Sequence, residues 1–276
     1  MKYLLVDNGS LRPESVLNLR RIARELGSVA GKEIFPSSLL HSSKIDPSEL
    51  EGEPAVNMER RLRWFLESGE KDFTIIPFFF GPSGAIIDYL PKRLESLRNR
   101  FGDFNVKRTS FLYAGDEPAS AANLTSILKD QVRATIQANQ LIRPRVILVD
   151  HGSPLETVTQ VRNQLADRLK LELAGEVDDL RPASMERREG DAYAFNEPLL
   201  ETLLADKDWS CGPIVIAMLF LSPGRHAGPG GDVHQICLEA NRMNTNFQPY
   251  MTDLVGSHPG IVHILHKRLQ SSVFFL

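Results

Sequence analysis

Residues 146–153 read VILVDHGS, and residues 3–10, near the start of the chain, read YLLVDNGS. Each is a β-branched, apolar run closed by Asp, one polar residue, Gly and Ser. An apolar run without polar alternation marks a strand buried on both faces, as in a parallel sheet covered by helices. A helical stripe follows in both places. Val16, Leu19, Ile22, Ala23 and Leu26 form the first, and Leu155, Val158, Val161, Leu165 and Leu169 the second. Ser153 followed by Pro154 has the form of a helix start, with the hydroxyl as N-cap and Pro in the first turn.

The likeness continues along the chain. FTIIPFFFGPSG from Phe73 is matched by IVIAMLFLSPGRH from Ile214, and each leads to an acidic residue, Asp88 or Asp232, expected to cap a helix. LYAGDEP from Leu112 is matched by LVGSHP from Leu254, and helices carrying ILKDQV and ILHKRL follow. The string Met-Glu-Arg-Arg occurs at Met58–Arg61 and at Met185–Arg188, and is expected to open a helix in each half. Repetition in the same order predicts an internal duplication. The N-terminal lobe would span 1–143 and the C-terminal lobe 144–276, joined near Leu141–Pro144, where Pro144 disfavours helix in the residue before it. The alternation predicts an α/β fold in which each lobe has a mostly parallel sheet flanked by helices. Ligands of such sheets bind beyond the carboxyl ends of the strands, where the DNGS, DHGS, GPSG and GRH turns fall.

Of the 276 residues 42% are hydrophobic and 24% charged, the balance of a protein with a packed core. A net charge of −3, with no basic run interleaved with aromatics, argues against a nucleic-acid partner. The opening apolar stretch, of about four residues before Asp7, is too short for a signal-peptide core. No stretch approaches the roughly 20 apolar residues that cross a bilayer. A cytoplasmic protein with no membrane partner is expected, its oligomeric state left open. Cys211 and Cys237 lack CxxC spacing and have apolar neighbours, which predicts buried, reduced thiols. Without a GxGxxG turn, a Walker lysine or a GxSxG elbow, neither an organic cofactor nor hydrolase chemistry is expected.

The chain carries a strand ending in His151-Gly-Ser, then a strand running into Gly224-Arg-His226 with Asp232 beyond. After these comes Gly256-Ser-His-Pro before an Ile-Leu…Arg-Leu helix. This pattern resembles the sirohydrochlorin chelatases, CbiX-type class II cobaltochelatases, in their long two-copy form, and covers nearly the whole chain. The resemblance implies two α/β lobes facing a cleft and a lyase of tetrapyrrole and cobalamin biosynthesis. Its reaction would be ATP-independent insertion of a divalent metal, Co²⁺ foremost and Fe²⁺ or Ni²⁺ as alternatives, into sirohydrochlorin or a related carboxylate-rich tetrapyrrole. His151 and His226 take the places of the family's two functional histidines, as metal ligands and proton acceptors. Neutral imidazole suits these ions, and insertion expels two pyrrole protons that a base of near-neutral pKa can accept. More ligands would compete with the macrocycle, so weak, open coordination is expected. Glu176, between the histidines in sequence, is the candidate carboxylate at the metal. Arg225, Arg12 and the hydroxyls of Ser153 and Ser10 are candidates to bind the substrate's carboxylates.

The first copy departs from the pattern. Asn8 stands in place of one histidine and Gly84 in place of the other, so the N-terminal turn is expected to bind substrate rather than metal. In the second copy Asp232 lies six residues after His226, where the family has four, and the extra length falls in Ala227–Gly231, read as a flexible loop. These departures motivate the alternative of a non-catalytic tetrapyrrole- or metal-binding protein that retains the fold. A metal-delivery role finds no His-rich tail or Cys cluster. His234 and His258 read as packing or turn residues, His263 and His266 as a solvated helix face, and His41 as part of a Ser-rich loop.

Overall fold

Beginning at Lys2, the chain alternates strand and helix through two sheets of the same order. The first half forms β1 (Lys2–Asp7), α1 (Pro13–Ala30), β2 (Ile34–Ser38), α2 (Met58–Glu67), β3 (Asp72–Pro77), α3 (Leu90–Phe101), β4 (Asn105–Arg108) and α4 (Leu124–Ala138). The second forms β5 (Arg145–Asp150), α5 (Glu156–Glu172), β6 (Leu180–Ser184), α6 (Leu200–Ala205), β7 (Gly212–Met218), α7 (Asp232–Met243), β8 (Phe247–Met251), α8 (Gly260–Gln270) and β9 (Phe274–Phe275). This computed structural model describes residues 1–115, 123–271 and 273–276, so the Asp116–Pro118 end of the LYAGDEP match lies outside the described residues.

One sheet runs β2-β1-β3-β4-β9 and the other β6-β5-β7-β8, parallel throughout except where β9 pairs antiparallel with β4. The quoted apolar runs are the central strands. Leu4–Val6 and Val146–Val149 are fully buried, and the α1 stripe from Val16 to Leu26 lies against its sheet. Each such side chain contributes about 1.5–3 kcal/mol by leaving water. The registers coincide: Asp7 pairs with Ser38 as Asp150 pairs with Ser184, and each serine bridges onward, to Asn57 and to Leu199. These pairings allow the two sheets to be compared position by position.

The compact units are Met1–Glu117 with Pro259–Leu276, and Pro118–His258. The division expected at 143/144 falls where the strand pattern restarts, but the units take the last helix of each half differently. Within the second unit, Gln131 on α4 donates to the Leu254 carbonyl at 2.9 Å. Within the first, the buried Arg268 on α8 donates to the carbonyls of Phe111 and Leu112 at 2.8 and 2.7 Å. Each helix thus satisfies backbone acceptors at the end of a sheet that is not the one preceding it in sequence.

Several local expectations are corrected. Met58–Arg61 opens α2, whereas Met185–Arg188 directly follows β6; strand register aligns Met58 with Leu200, so the two strings are not counterparts. Asp88 lies inside a π-helical turn, Ala85–Tyr89, and caps nothing. Helix α5 starts at Glu156, and the Ser153 hydroxyl instead accepts from the Leu155 N–H in the turn before it. Cys237 is buried, with its thiol pushed up to about 12 by burial, but Cys211 is exposed at the turn leading into β7. Among the described residues no helix is long and apolar enough to cross a membrane.

Candidate functional site

At the end of β5 the chain turns sharply through His151 and Gly152. Gly152 has φ +90°, and a Cβ there would meet the Glu186 carbonyl oxygen at 1.9 Å, so glycine is required. The turn is zipped onto the residues beyond β6. Met185 N–H donates to the Asp150 carbonyl at 2.8 Å, and Glu186 N–H donates to the His151 carbonyl at 3.2 Å. This pairing brings the Glu186 carboxylate to 3.3 Å from His151 Nε2.

Below the turn lies a buried polar network. Arg162, 1% exposed on α5, donates through Nη1 to Ser184 Oγ, to the Asn196 carbonyl at 3.1 Å and to Asp150 Oδ1 at 3.4 Å. Asp150 Oδ1 also accepts from Ser184 Oγ at 2.8 Å and from Gly152 N–H at 3.2 Å. Burial pushes the Asp150 carboxyl up, opposed by the Arg162 charge and these hydrogen bonds. The Asn196 amide accepts from Ser153 N–H and donates to the Ser153 carbonyl, both at 2.9 Å. The backbone that carries His151 is therefore held from beneath by paired and satisfied groups.

His226 is presented by the turn between β7 and α7. The carbonyls of Arg225 and His226 accept the Asp232 and Val233 N–H groups at 3.2 Å each, satisfying amides that a helix start leaves unpaired. The extra loop length is closed internally. Gly231 N–H donates to the Gly228 carbonyl at 3.1 Å, and Gly230 N–H donates to His234 Nδ1 at 3.0 Å. Asp232 is the first residue of α7 rather than its N-cap, which is Gly231. Despite the longer spacing, its Oδ2 accepts from His226 Nδ1 at 2.7 Å.

The two imidazoles meet edge to face, with centroids 4.5 Å apart and planes at 68°. A carboxylate and a carbonyl have no proton to give, so His226 Nδ1 must donate to Asp232 and His151 Nδ1 to the Gly152 carbonyl at 3.0 Å. That leaves Nε2 as the ring nitrogen of each histidine able to bind a metal when the ring is neutral, and that of His151 lies 3.3 Å from Glu186. The side chains are 46% and 30% exposed, open to a ligand. No group of three or more His, Cys, Asp or Glu side chains among the described residues is arranged to hold a metal.

Comparison with known proteins places this half of the chain. The CbiX family model matches residues 145–272. The whole chain has the chelatase fold. It is similar to SirB from Bacillus subtilis with Fe³⁺ (14% identity, 98% of this chain and 95% of that one, TM-score 0.65). It is similar to SirB from Bacillus subtilis subspecies spizizenii in complex with cobalt (14% identity, 98% and 94%, TM-score 0.66). It is similar also to CbiX of denitrifying bacteria, described as the terminal enzyme for siroheme biosynthesis (13% identity, 98% and 98%, TM-score 0.62). Comparison with curated proteins gave no match.

In the half that the CbiX model matches, the structure brings His151 and His226 into contact, with Arg225 next to His226 in the chain and Ser153 in the His151 turn. Arg225 is exposed, its Nε 3.7 Å from Asp232 Oδ2, while the Ser153 N–H is already used by Asn196. Glu176 is elsewhere. It makes a two-point pair with Arg133 on α4, at 2.6 and 2.9 Å, which holds its carboxyl below the usual range. Helix α5 returns the chain to the amino ends of the strands, so a residue in the α5–β6 connection is remote from His151. The neighbouring Asp178 N–H indeed donates to the Pro144 carbonyl, just before β5. The carboxylate beside His151 is Glu186, whose only sequence signal was its place after the second strand. Ser10 and Arg12 occupy the corresponding turn of the other unit, where Ser10 N–H donates to Ser42 Oγ and Arg12 N–H to Ser10 Oγ. There the counterparts of His151 and Glu186 are Asn8 and Leu40, and Leu40 N–H bonds the Asn8 carbonyl as Glu186 bonds His151.

Proposed function

We propose that the protein inserts a divalent metal into sirohydrochlorin or a related tetrapyrrole at the His151–His226 pair. Co²⁺ is the favoured ion, with Fe²⁺ and Ni²⁺ as alternatives. The observation that carries this reading is the pair of imidazoles 4.5 Å apart, each with Nδ1 engaged by an acceptor, which leaves Nε2 as the metal-binding nitrogen when the ring is neutral. Two neutral nitrogen donors form a site weak enough to surrender its ion to four pyrrole nitrogens. As metal enters, each displaced pyrrole proton needs a base. His151 Nε2 accepts one, and the resulting imidazolium N–H faces Glu186 at 3.3 Å, which stabilises the charge. Asp232 does the same for His226 through Nδ1 and fixes the ring's orientation. Arg225 and Ser153 are assigned to the substrate's carboxylates, with Ser10 and Arg12 as further candidates. The two sheets of common order are taken as products of an internal duplication in which one copy kept the metal-handling side chains, and the protein as cytoplasmic.

The test is anaerobic absorbance spectroscopy of sirohydrochlorin with each metal, with and without protein. Acceleration by the protein supports a chelatase. A second reading, pigment binding without turnover, is motivated by Asn8 and Leu40 standing where the first unit would need His and Glu. A bound-pigment spectrum with no acceleration by any of the three metals would establish it instead.

A further inference from the structure

The equivalence of the two sheets exposes a difference away from the histidines. Arg162 lies twelve residues after Asp150, and Leu19 twelve after Asp7; Asn196 lies three before Leu199, and Pro54 three before Asn57. In the second unit Arg162 and Asn196 fill the space beside the edge strand with a satisfied network. In the first unit neither group is present, and a cavity of about 240 Å³ lies between α1, β2 and the start of α2.

Two arginines line this cavity. Arg20, 13% exposed, donates to the carbonyls of Leu50 and Glu53 at 2.9 and 2.7 Å, and its nearest carboxylate, the 81% exposed Glu53, is 3.9 Å away. Arg61, whose counterpart is Leu203, donates through Nε to Ser37 Oγ at 3.0 Å and through Nη2 to the Pro36 carbonyl at 3.3 Å. No carboxylate among the described residues forms an ion pair with it. Burial, and then the neighbouring Arg20 charge, push the Arg61 guanidinium down, against the weaker pull of the Glu33 charge. Neutral acceptors thus hold two cations at one hollow, where the one lining carboxylate is the exposed Glu53, 3.9 Å from Arg20, and Ser37 and Ser38 line its wall.

We propose that this cavity binds a small oxyanion, a phosphate or short carboxylate, between Arg61 and Arg20. A planar guanidinium offers paired donors to such a group, and the available volume admits an anion of that size. The site is separate from the chelatase reading and stands or falls without it.

Thermal unfolding and calorimetric titration of the full chain with inorganic phosphate, malonate or chloride at equal ionic strength provide the test. Phosphate or malonate should raise the wild-type Tm beyond chloride, and the stronger of the two identifies the ligand class. Arg61→Leu, the residue found at the counterpart position, should abolish the specific rise, and Arg61→Lys should reduce it. Glu53→Gln removes an exposed competing carboxylate and should strengthen binding. Equal Tm shifts in wild type and Arg61→Leu, or no effect of either anion beyond chloride, would overturn the proposal. If Arg61→Leu does not fold, the Glu53→Gln comparison decides: unchanged anion affinity overturns it.

Discussion

Replacing Asp7 with Asn isolates one buried charge. Asp7 sits at the end of β1 with one carboxyl oxygen lacking any partner, and burial pushes it from 3.8 up to about 6, against hydrogen bonds from Ser38 and the Gly9 N–H. A pKa difference of roughly two, at about 1.4 kcal/mol each, means that holding Asp7 ionised in the fold costs about 3 kcal/mol. Below about pH 4 the carboxyl is protonated in both folded and unfolded chains, and the full stability is present. Between about pH 4 and 6 only the folded chain keeps the proton, so stability falls as pH rises, and the loss is complete by about pH 7. Asn cannot ionise. Its own packing or hydrogen-bond mismatch is the same at both pH values and cancels in the comparison. Denaturant unfolding of wild type and Asp7→Asn at the two pH values should show the variant gaining about 3 kcal/mol relative to wild type on going from acid to neutral. A stability difference that does not change with pH would refute the assignment of a buried, unpaired carboxylate.

Other substitutions probe the C-terminal half. Asp232→Asn removes the charged acceptor at His226 Nδ1; metal insertion should fall about 10- to 100-fold with Tm little changed, measured by initial rates and thermal unfolding. Gly152→Ala places a Cβ 1.9 Å from the Glu186 carbonyl at φ +90°, so it should destabilise by more than about 3 kcal/mol and separate Glu186 from His151. Arg162→Met leaves Asp150 buried and unpaired. A loss of about 3–5 kcal/mol is expected, smaller in acid, where Asp150 protonates, and readable by denaturant unfolding at two pH values.

The sheets and the histidine pair were legible because each rests on a short-range pattern. An unbroken apolar run ending in Asp-x-Gly-Ser can hardly be anything but a buried strand and its exit turn. Two such turns on neighbouring strands, β5 and β7, must bring His151 and His226 near one another. The partners of those histidines were less visible. Placing Glu186 depends on where β6 ends, and LRPAS carries Arg181 and Pro182 in a weak, edge-strand pattern. Glu176 sits only ten residues earlier but at the other end of the sheet. The repeated Met-Glu-Arg-Arg string misled because composition matched while register did not. Arg162 looked like one more polar residue on an amphipathic helix; its burial makes sense only with Asp150, Ser184 and Asn196 gathered around it. The docking of α4 and α8 rests on Gln131 and Arg268 reaching carbonyls more than a hundred residues away, which no local pattern records.

The central claim is that His151 and His226 act as one unit on the metal and its displaced protons. The most direct measurement is a double-mutant cycle on the rate of Co²⁺ insertion into sirohydrochlorin, using His151→Ala, His226→Ala and the double variant, each shown by circular dichroism to be folded. Residues acting as a unit lose their effect together. Either single substitution should therefore reduce the rate to nearly the level of the double variant. Rates unchanged by either substitution, or independent losses that multiply in the double variant, would contradict a shared site.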